Sequence, residues 1–444
     1  MSNKESVLKP VRKLKGGARL PHNKATAELP SVNIKSVKQV VIPMLQHIGS
    51  PCIPSAKKGD KVFVGTLIGE SNTPISAPIH ASVSGEVTEI TEYLLPSGAK
   101  TRAVVISSDG KMTPDPNLSP KKINTPEELA SAAKDCGMVG LGGAGFPTYI
   151  KLSNTPQKPI DTLIVNAAEC EPYITSDYRE CMENPDDILG GIYLIKRLLN
   201  IKNVIIGVES NKPKAIKTLY GIAADRADTD NSVRLMKLKS HYPQGAEKIL
   251  IYSATGRKLP LGKLPADVGC IVMNVTSIAT LYRYVKTGIP LVSKRITVDG
   301  NAVSSPQNLI VPIGTRISDI LDHCKAENFE KVIIGGPMMG TAVYDTQIPV
   351  TKQNNAVLAF KGKIAAHKPV TDCIRCGRCM RTCPMRLTPA AVETAVRTQD
   401  SEELRSLNVM YCMECGCCSY VCPAGRPLTV SMRTAKSIIR KAEK

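Results

Sequence analysis

The chain has 444 residues, 42% of them apolar, enough for three or four domains of ordinary size with cores of their own. It carries 58 basic against 39 acidic residues, a formal charge of +19, but no nucleic-acid motif accompanies the excess, and the lack of Trp with only 4 Phe leaves few stacking platforms for single strands. No apolar run approaches the ~18 residues of a membrane span, and the opening MSNKESVLKPVRKLKGG lacks the apolar centre of a signal peptide, so a soluble or peripheral cytoplasmic protein is expected.

Basic residues gather at both ends: Lys4, Lys9, Arg12, Lys13, Lys15 and Arg19, then Arg433, Lys436, Arg440, Lys441 and Lys444. The first dozen residues read as a solvated tail. Docking to a membrane or an acidic electron carrier is the sharper reading of these ends.

Residues 40–110 are short strand-like runs punctuated by Gly and Pro. The stretch AKKGDKVFVGTLIGE…ISAPIHASVSGEVTEI resembles the barrel-sandwich fold of lipoyl and biotinyl carriers, with Gly59-Asp60, Gly65 and Gly85 at its turns. A carrier needs a lysine between its two halves. That segment here is SNTPIS, without lysine, so a small β domain used for packing or docking is expected.

Residues 108–124 are a linker by composition. Thr125-Pro126-Glu127-Glu128 then supplies a cap, a first-turn proline and a capping-box glutamate for a helix through LASAAKDCG. The glycine run GLGGAG follows at 140–145, formally G-x-G-x-x-G, with the acidic Glu169 roughly 20 positions on. The context is wrong for a Rossmann turn, which follows a strand rather than a helix. Gly142 and Gly143 would still let backbone N–H groups approach an anion or a flat ring.

From residue 161, DTLIVNAAE, KNVIIGVES and SVRLMKLK read as strands, and DDILGGIYLIKRLLN and PQGAEKILIYSATG as helices, an α/β domain to about residue 290. Residues 294–325 read as strand, turn, strand and capped helix, a β-grasp module. KVIIGGPMMG and the Gln/Asn-rich KQNN lead into the last region.

That region holds C-x2-C-x2-C-x3-C-P twice: Cys373, Cys376, Cys379, Cys383 and Pro384, then Cys412, Cys415, Cys418, Cys422 and Pro423. This is the run for [4Fe–4S] clusters, in which the fourth cysteine of each copy reaches the other cluster. One cluster is therefore assigned to Cys373, Cys376, Cys379 and Cys422, and the other to Cys383, Cys412, Cys415 and Cys418. Zinc sites do not need a third cysteine at the same step, and disulfides do not suit a cytoplasmic protein. Cys417 is off register and reads as a spectator. Cys52, Cys136, Cys170, Cys181, Cys270 and Cys324 read as small buried residues. Between the motifs, Thr388 and Pro389 start a helix with Val392, Ala395 and Val396 on its apolar face, and Asp400 with Glu403 starts another.

G-L-G-G-A-G-F-P-T, then Lys151, then N-A-A-E-C-E-P, resembles the flavin-bearing, NADH-oxidising subunit of respiratory complex I. The barrel-sandwich, the doubled cysteine motif, Y-P-Q-G-A-E-K at 242–248 and G-G-P-M-M-G at 335–340 are similar to the RnfC family, found in the ion-translocating ferredoxin:NAD oxidoreductases known as Rnf complexes. The likeness covers nearly the whole chain. It implies FMN lined by Gly140, Gly142, Gly143 and Gly145, met by Lys151, Asn166 and Asn274, with Gly245 in close backbone approach. It implies that Phe146 and Glu171 touch the nicotinamide nucleotide, Phe146 by stacking. Glu169 is counted with Glu171 among the cofactor-binding residues, and for both the alternative is a pair of loop carboxylates capping a helix. Leu141 and Ala168 depart from the complex I pattern, which has Arg and Asp there.

The expected plan is multidomain α/β plus β: a barrel-sandwich domain with its linker at 1–124, an FMN/NADH-binding α/β domain at 125–290, a β-grasp module of the SLBB type at 291–362 and a helical two-[4Fe–4S] ferredoxin domain at 363–444. NAD chemistry moves electrons in pairs and iron–sulfur clusters move them singly. A flavin joins the two regimes, which is why the glycine turn and the cysteines share a chain. The resemblance implies an electron-transfer subunit exchanging hydride with NAD(H) at FMN. Its partners would be ferredoxin and the other Rnf subunits, at the cytoplasmic face of the membrane, peripheral and without nucleic acid. Two other readings are a soluble NADH-dependent cobalamin reductase of a microcompartment and a cluster-bearing adaptor with an inactive nucleotide site.

Overall fold

The computed structural model describes residues 7–34, 36–153, 159–225, 232–366 and 369–443; Lys4 and Lys444 lie outside them. The chain opens as an extended strap. Val7–Leu8 (β1) pairs in parallel with Leu235 and Met236, Ala18 bridges Tyr242, and Val32–Asn33 (β2) pairs with Leu309 and Ile310. The expected solvated tail is thus corrected at residues 7 and 8. Adjacent Val and Leu suit the edge of a sheet, and the flanking charges stay outside it.

The barrel-sandwich has β3 (Gln39–Pro43), β4 (Ile53–Pro54), β5 (Lys61–Val62), β6 (Leu67–Glu70), β7 (Ile79–His80), β8 (Gly85–Leu94) and β9 (Lys100–Ser108). Sheets ordered β3-β9-β8-β5 and β4-β6-β7 enclose Val40, Ile42, Ile68, Val87 and Ile106. Alternation along β3 sends Val41 to the opposite side, against Ala103 and Val105. Residues 109–124 are fixed rather than loose: Val64 bridges Pro114, and Thr66 donates to Asp115 at 2.7 Å.

Helix α1 (Pro126–Asp135) carries its capping box, Glu128 N to Thr125 Oγ1 at 3.1 Å and Thr125 N to Glu128 Oε2 at 3.2 Å. The glycine turn and the short α2 (Thr148–Leu152) follow. The α/β unit then runs β10 (Thr162–Ala167), α3 (Ser176–Glu183), α4 (Pro185–Leu198), β11 (Asn203–Glu209), α5 (Pro213–Asp225), β12 (Val233–Leu238), α6 (Glu247–Thr255), β13 (Cys270–Asn274) and α7 (Val275–Thr287). Its sheet is parallel, in the order β1-β12-β11-β10-β13. Both faces are covered, so its strands are apolar at successive positions: Leu163 and Val165 join the core of α4 and α7, while Ile164 joins that of α6. From β10 the chain builds β11 and β12 to one side and β13 to the other. A parallel α/β sheet offers a ligand crevice at the carboxyl ends of the strands where the order reverses this way.

The next unit has β14 (Ser293–Asp299), β15 (Gln307–Pro312), α8 (Ile317–His323), β16 (Lys331–Ile334), β17 (Thr341–Val343) and β18 (Ala356–Phe360), in the order β17-β16-β18-β14-β15-β2. β14 and β15 form a hairpin, β18 runs parallel to β14, and α8 buries Ile317, Ile320 and Leu321 against the sheet.

The last region is helical: α9 (Arg378–Thr382), α10 (Pro389–Thr398), α11 (Ser401–Ser406), α12 (Cys417–Tyr420) and α13 (Leu428–Ala442). Val392 and Ala395 of α10 pack with Met432, Ala435 and Ile439 of α13 and Leu404 of α11. Asp400 caps α11 through the N–H groups of Glu402 and Glu403. Thr388 precedes α10 without a side-chain cap, because its ψ of 74° is short of the extended geometry that aims a hydroxyl at the first-turn N–H groups.

Candidate functional site

Asn166 and Asn274 are register partners at the carboxyl ends of β10 and β13, on either side of the reversal in strand order. Asn166 Nδ2 donates to the Gly245 carbonyl at 2.8 Å. Asn274 Oδ1 accepts from the N–H groups of Thr276 and Ser277, capping α7, and its Nδ2 donates to Asp177 at 2.7 Å. Asp177 also accepts from the Thr276 hydroxyl at 2.7 Å. Burial holds its carboxyl above the usual range.

The glycine turn lies across this point. Gly140 N donates to Phe146 O at 2.8 Å, and Leu141 N donates to Ser277 Oγ at 3.1 Å, pinning the turn to the first turn of α7. The Leu141 side chain is 1% exposed and joins the core beneath, so an apolar residue is what this position holds. Ala168 is likewise interior. Gly142, Gly143 and Ala144 are exposed. Gly142 has a φ of 78°, and a Cβ there would lie 3.4 Å from Asn274 Nδ2 and 3.7 Å from Asn355 Nδ2. A Cβ on Gly143 would meet nothing within 4 Å. At Gly245 it would lie 3.2 Å from Ala168 Cβ and 3.6 Å from Asn166 Oδ1. The crevice is therefore floored by bare backbone and edged by three carboxamides. Lys151 Nζ stands beside it, donating to Val272 O at 3.2 Å and pairing with Glu247 at 3.5 Å, and half-buried Phe146 lies on the returning limb of the turn. Such a lining suits a flat heteroaromatic ring with a phosphate tail.

The barrel-sandwich backs the turn. Ile48 N donates to Gly145 O at 3.1 Å, and the Tyr149 hydroxyl of α2 donates to Pro74 O, within the segment where a carrier would have its lysine. Lys352, 1% exposed, donates to Pro78 O at 2.5 Å and Gly137 O at 2.7 Å, joining the two units from behind.

Glu169 and Glu171 are both engaged with backbone. Glu169 accepts from Asp177 N at 2.6 Å and Tyr178 N at 3.2 Å, so it caps α3. Glu171 accepts from Met338 N and Met339 N, both at 3.0 Å. Burial pushes each carboxyl up to about 7. Lys24 of the strap donates to the carbonyls of Glu169 at 3.1 Å, Glu171 at 2.8 Å and Ile174, so all three of its N–H bonds hold this loop. Sequence reasoning missed Lys24, Asp177 and Asn355. Only Asn355 had a signal, the KQNN run. Lys24 is 145 to 150 residues from its partners, and nothing local marks it.

The loop also meets the cysteine module. Tyr242, Cys170 and Met338 pack with Cys415 and Cys417, and a Cβ on Gly416 would lie 2.7 Å from Met338 O. Cys383, Cys412, Cys415 and Cys418 line one cavity together with Cys417, Met385, Met413 and Met432. Cys383 therefore sits with the second motif. Cys379 has the Cys422 thiol among its electrostatic neighbours, and α9 packs on α12, so Cys422 sits toward the first motif. Cys373 is the exposed cysteine of the eight. Among the described residues no three His, Cys, Asp or Glu side chains converge as around a single ion. Thiolates sharing one zinc at ~2.3 Å must lie about 4 Å apart. Four thiols facing one cavity, three of them from one C-x2-C-x2-C run, are the donor set that an iron–sulfur cluster uses.

Three families match parts of the chain: the Nuo51 FMN-binding domain over residues 133–283, the RnfC barrel sandwich hybrid domain over 12–111 and a 4Fe-4S dicluster domain over 367–423. The C subunit of the proton-translocating ferredoxin:NAD(+) oxidoreductase complex of Clostridium ljungdahlii is 40% identical over 386 residues, 86% of this chain and 83% of that relative. The Na(+)-translocating counterpart of Acetobacterium woodii is 41% identical over 430 residues, 95% of this chain and 96% of that relative. An air-oxidized NAD+-reducing [NiFe]-hydrogenase structure superposes with a TM-score of 0.51 at 19% identity, over 71% of this chain and 61% of that one, a likeness of fold.

Proposed function

We propose, for a chain that belongs to the RnfC family of ion-translocating ferredoxin:NAD oxidoreductase complexes, that it is the subunit in which NAD(H) meets FMN and two [4Fe–4S] clusters. The observation that carries this reading is one continuous contact. Cys170 of the loop after β10, which flanks the glycine turn's crevice, packs with Tyr242 and Met338 from the loops after β12 and β16 on Cys415 and Cys417. FMN, when bound, exchanges electron pairs with a nicotinamide and single electrons with iron–sulfur clusters.

The residues present fit that flavin. Gly140, Gly142, Gly143 and Gly145 provide bare backbone, and Asn166 and Asn274 present carboxamides already oriented by Gly245 and Asp177. Lys151 is free to turn from its weak, half-exposed pair with Glu247 toward a phosphate. Phe146 and Glu171 would be the residues that meet the nicotinamide nucleotide. Glu169 acts at one remove by capping α3, which carries Asp177. Each role is local positioning, and no side chain need act as acid or base.

The cavity lining supports Cys383, Cys412, Cys415 and Cys418 as the ligands of the cluster nearer the flavin, and Cys373, Cys376, Cys379 and Cys422 as those of the outer one. The sheet order β15-β14-β18-β16 with α8 supports the β-grasp assignment at 291–362. The units 1–124, 125–290 and 363–444 follow from the same reading. Partners are the other subunits of a membrane complex and ferredoxin, with the chain peripheral on the cytoplasmic face. Among the described residues no helix is long and apolar enough to cross a membrane.

The test is anaerobic purification followed by iron, sulfide and flavin determination. About eight irons, eight sulfides and one FMN per chain are expected, with NADH–ferricyanide activity. Clusters without flavin binding after FMN reconstitution would sink the reading.

A further inference from the structure

We propose that the outer lobe of the cysteine module, residues 370–381, is the docking surface for an acidic protein with a one-electron redox centre near its own surface. This rests on the reading that Cys373, Cys376, Cys379 and Cys422 hold a cluster.

The two cysteine motifs are one backbone used twice. Arg375 and Glu414 occupy the same place in C-I-R-C and C-M-E-C, with φ of 55° and 58°, and Gly377 and Gly416 follow at 69° and 79°. Their surroundings differ. Glu414 is held by Arg433 at 3.0 Å and Lys436 at 2.8 Å, and its lobe is closed by Met338. Arg375 and Arg378 are exposed, with no ion pair or side-chain hydrogen bond among the described residues, and Arg381 gives one N–H to the Cys376 carbonyl at 3.1 Å. Within the same stretch Val370 is 60% exposed, Ile374 68% and Met380 49%.

A closed lobe and an open lobe built on the same turn point to different tasks. The inner one meets the rest of the chain. The outer one carries three uncovered apolar side chains, exposed Cys373 and three arginines within twelve residues, against Asp372 as the sole acid of the stretch. Apolar groups gathered in one place mark a contact surface. A small apolar centre with a charged rim suits a brief redox encounter, which buries little area. The rim's sign selects an acidic partner and steers its approach. One electron passes between the carrier's centre and the outer cluster. One side is oxidised and the other reduced, with no bond made and no proton moved.

The test uses the anaerobically prepared, cluster-loaded chain and an acidic [4Fe–4S] ferredoxin as probe, with binding measured by surface plasmon resonance at several salt concentrations. The double variant R375E/R378E reverses the rim, and Glu is a residue this turn already accepts at position 414. We expect unchanged iron content and NADH–ferricyanide activity. The dissociation constant should rise at least about tenfold at low ionic strength, with a flattened salt dependence. Ile374→Asn should weaken binding at high salt as well. Equal affinity of both variants and wild type would overturn the proposal. Loss of NADH–ferricyanide activity in wild type with ferredoxin binding intact would instead count against the flavin reading and leave this surface standing.

Discussion

Asn274 and Asp177 share a 2.7 Å hydrogen bond across the mouth of the α/β crevice. It joins the cap of α7 to the first turn of α3. The same carboxamide lies 3.4 Å from where a Cβ on Gly142 would stand, so the strand ends, both helices and the glycine turn meet at one amide. Substitutions there separate folding from flavin binding.

Gly143→Ala should leave thermal stability unchanged, because its φ is ordinary and the added methyl meets nothing within 4 Å. It should nevertheless lower flavin retention severalfold, because the methyl occupies the crevice. Gly142→Ala should cost both, with about 1 kcal/mol of stability lost to the left-handed backbone. Paired melting curves and flavin-to-protein ratios read the two effects. Full retention in Gly143→Ala would remove the turn from the site.

Lys24→Met should destabilise the chain by about 2 kcal/mol, since three part-buried carbonyls lose a charged donor and only that of Glu169 keeps another, from Lys212. Flavin affinity should fall with it, although Lys24 does not line the crevice. Denaturant unfolding and flavin titration check both.

Glu171 carries a pH dependence of predictable sign. Burial raises its carboxyl from 4.5 to about 7 in the fold, against the N–H groups of Met338 and Met339 and the charge of Lys24. The folded chain therefore binds more protons than the unfolded one between those values. Its contribution is full below about 4.5 and lost as pH rises through 7. Glu171→Gln should remove a loss on the order of 2 kcal/mol across this window. Melting temperatures of the two proteins between pH 5 and 8 read it, and parallel curves would refute it.

Cys383→Ser and Cys422→Ser should each reduce iron from about eight to about four per chain. Their remaining signals should differ. Cys422→Ser keeps the cluster beside Tyr242 and Met338, which NADH should still reduce. Cys383→Ser keeps the outer one, which should reduce poorly with NADH but normally with dithionite. Electron paramagnetic resonance separates them, and the opposite pattern would mean that the ligands are not crossed.

Much of this was legible in the chain. The capping box at Thr125 and Glu128, the doubly apolar strands and the twin cysteine runs are local signals, and each forms as local physics dictates. The glycine turn was half legible: its formal pattern suggested a Rossmann turn, and the helix before it removed that reading. That it lies over the reversal between β10 and β13 depends on strand order, which no short stretch encodes. Lys24, Asp177 and Asn355 were invisible for the same reason. Their meaning comes from partners far along the chain. The basic start misled because charge dominates its composition, while Val7 and Leu8 decide its fate.

The strap has a consequence for biogenesis. Gly17 exchanges two hydrogen bonds with Thr382, 365 residues away, beside Cys383. A ribosome makes Gly17 early and the cysteine turn late. The segment that seats Lys24 on the loop after β10 and Val7 on the sheet is thus tied also to the cysteine-bearing end of the chain. The first segment to leave the ribosome is therefore among the last to be fully seated, because part of its contact surface is made only when the end of the chain has been.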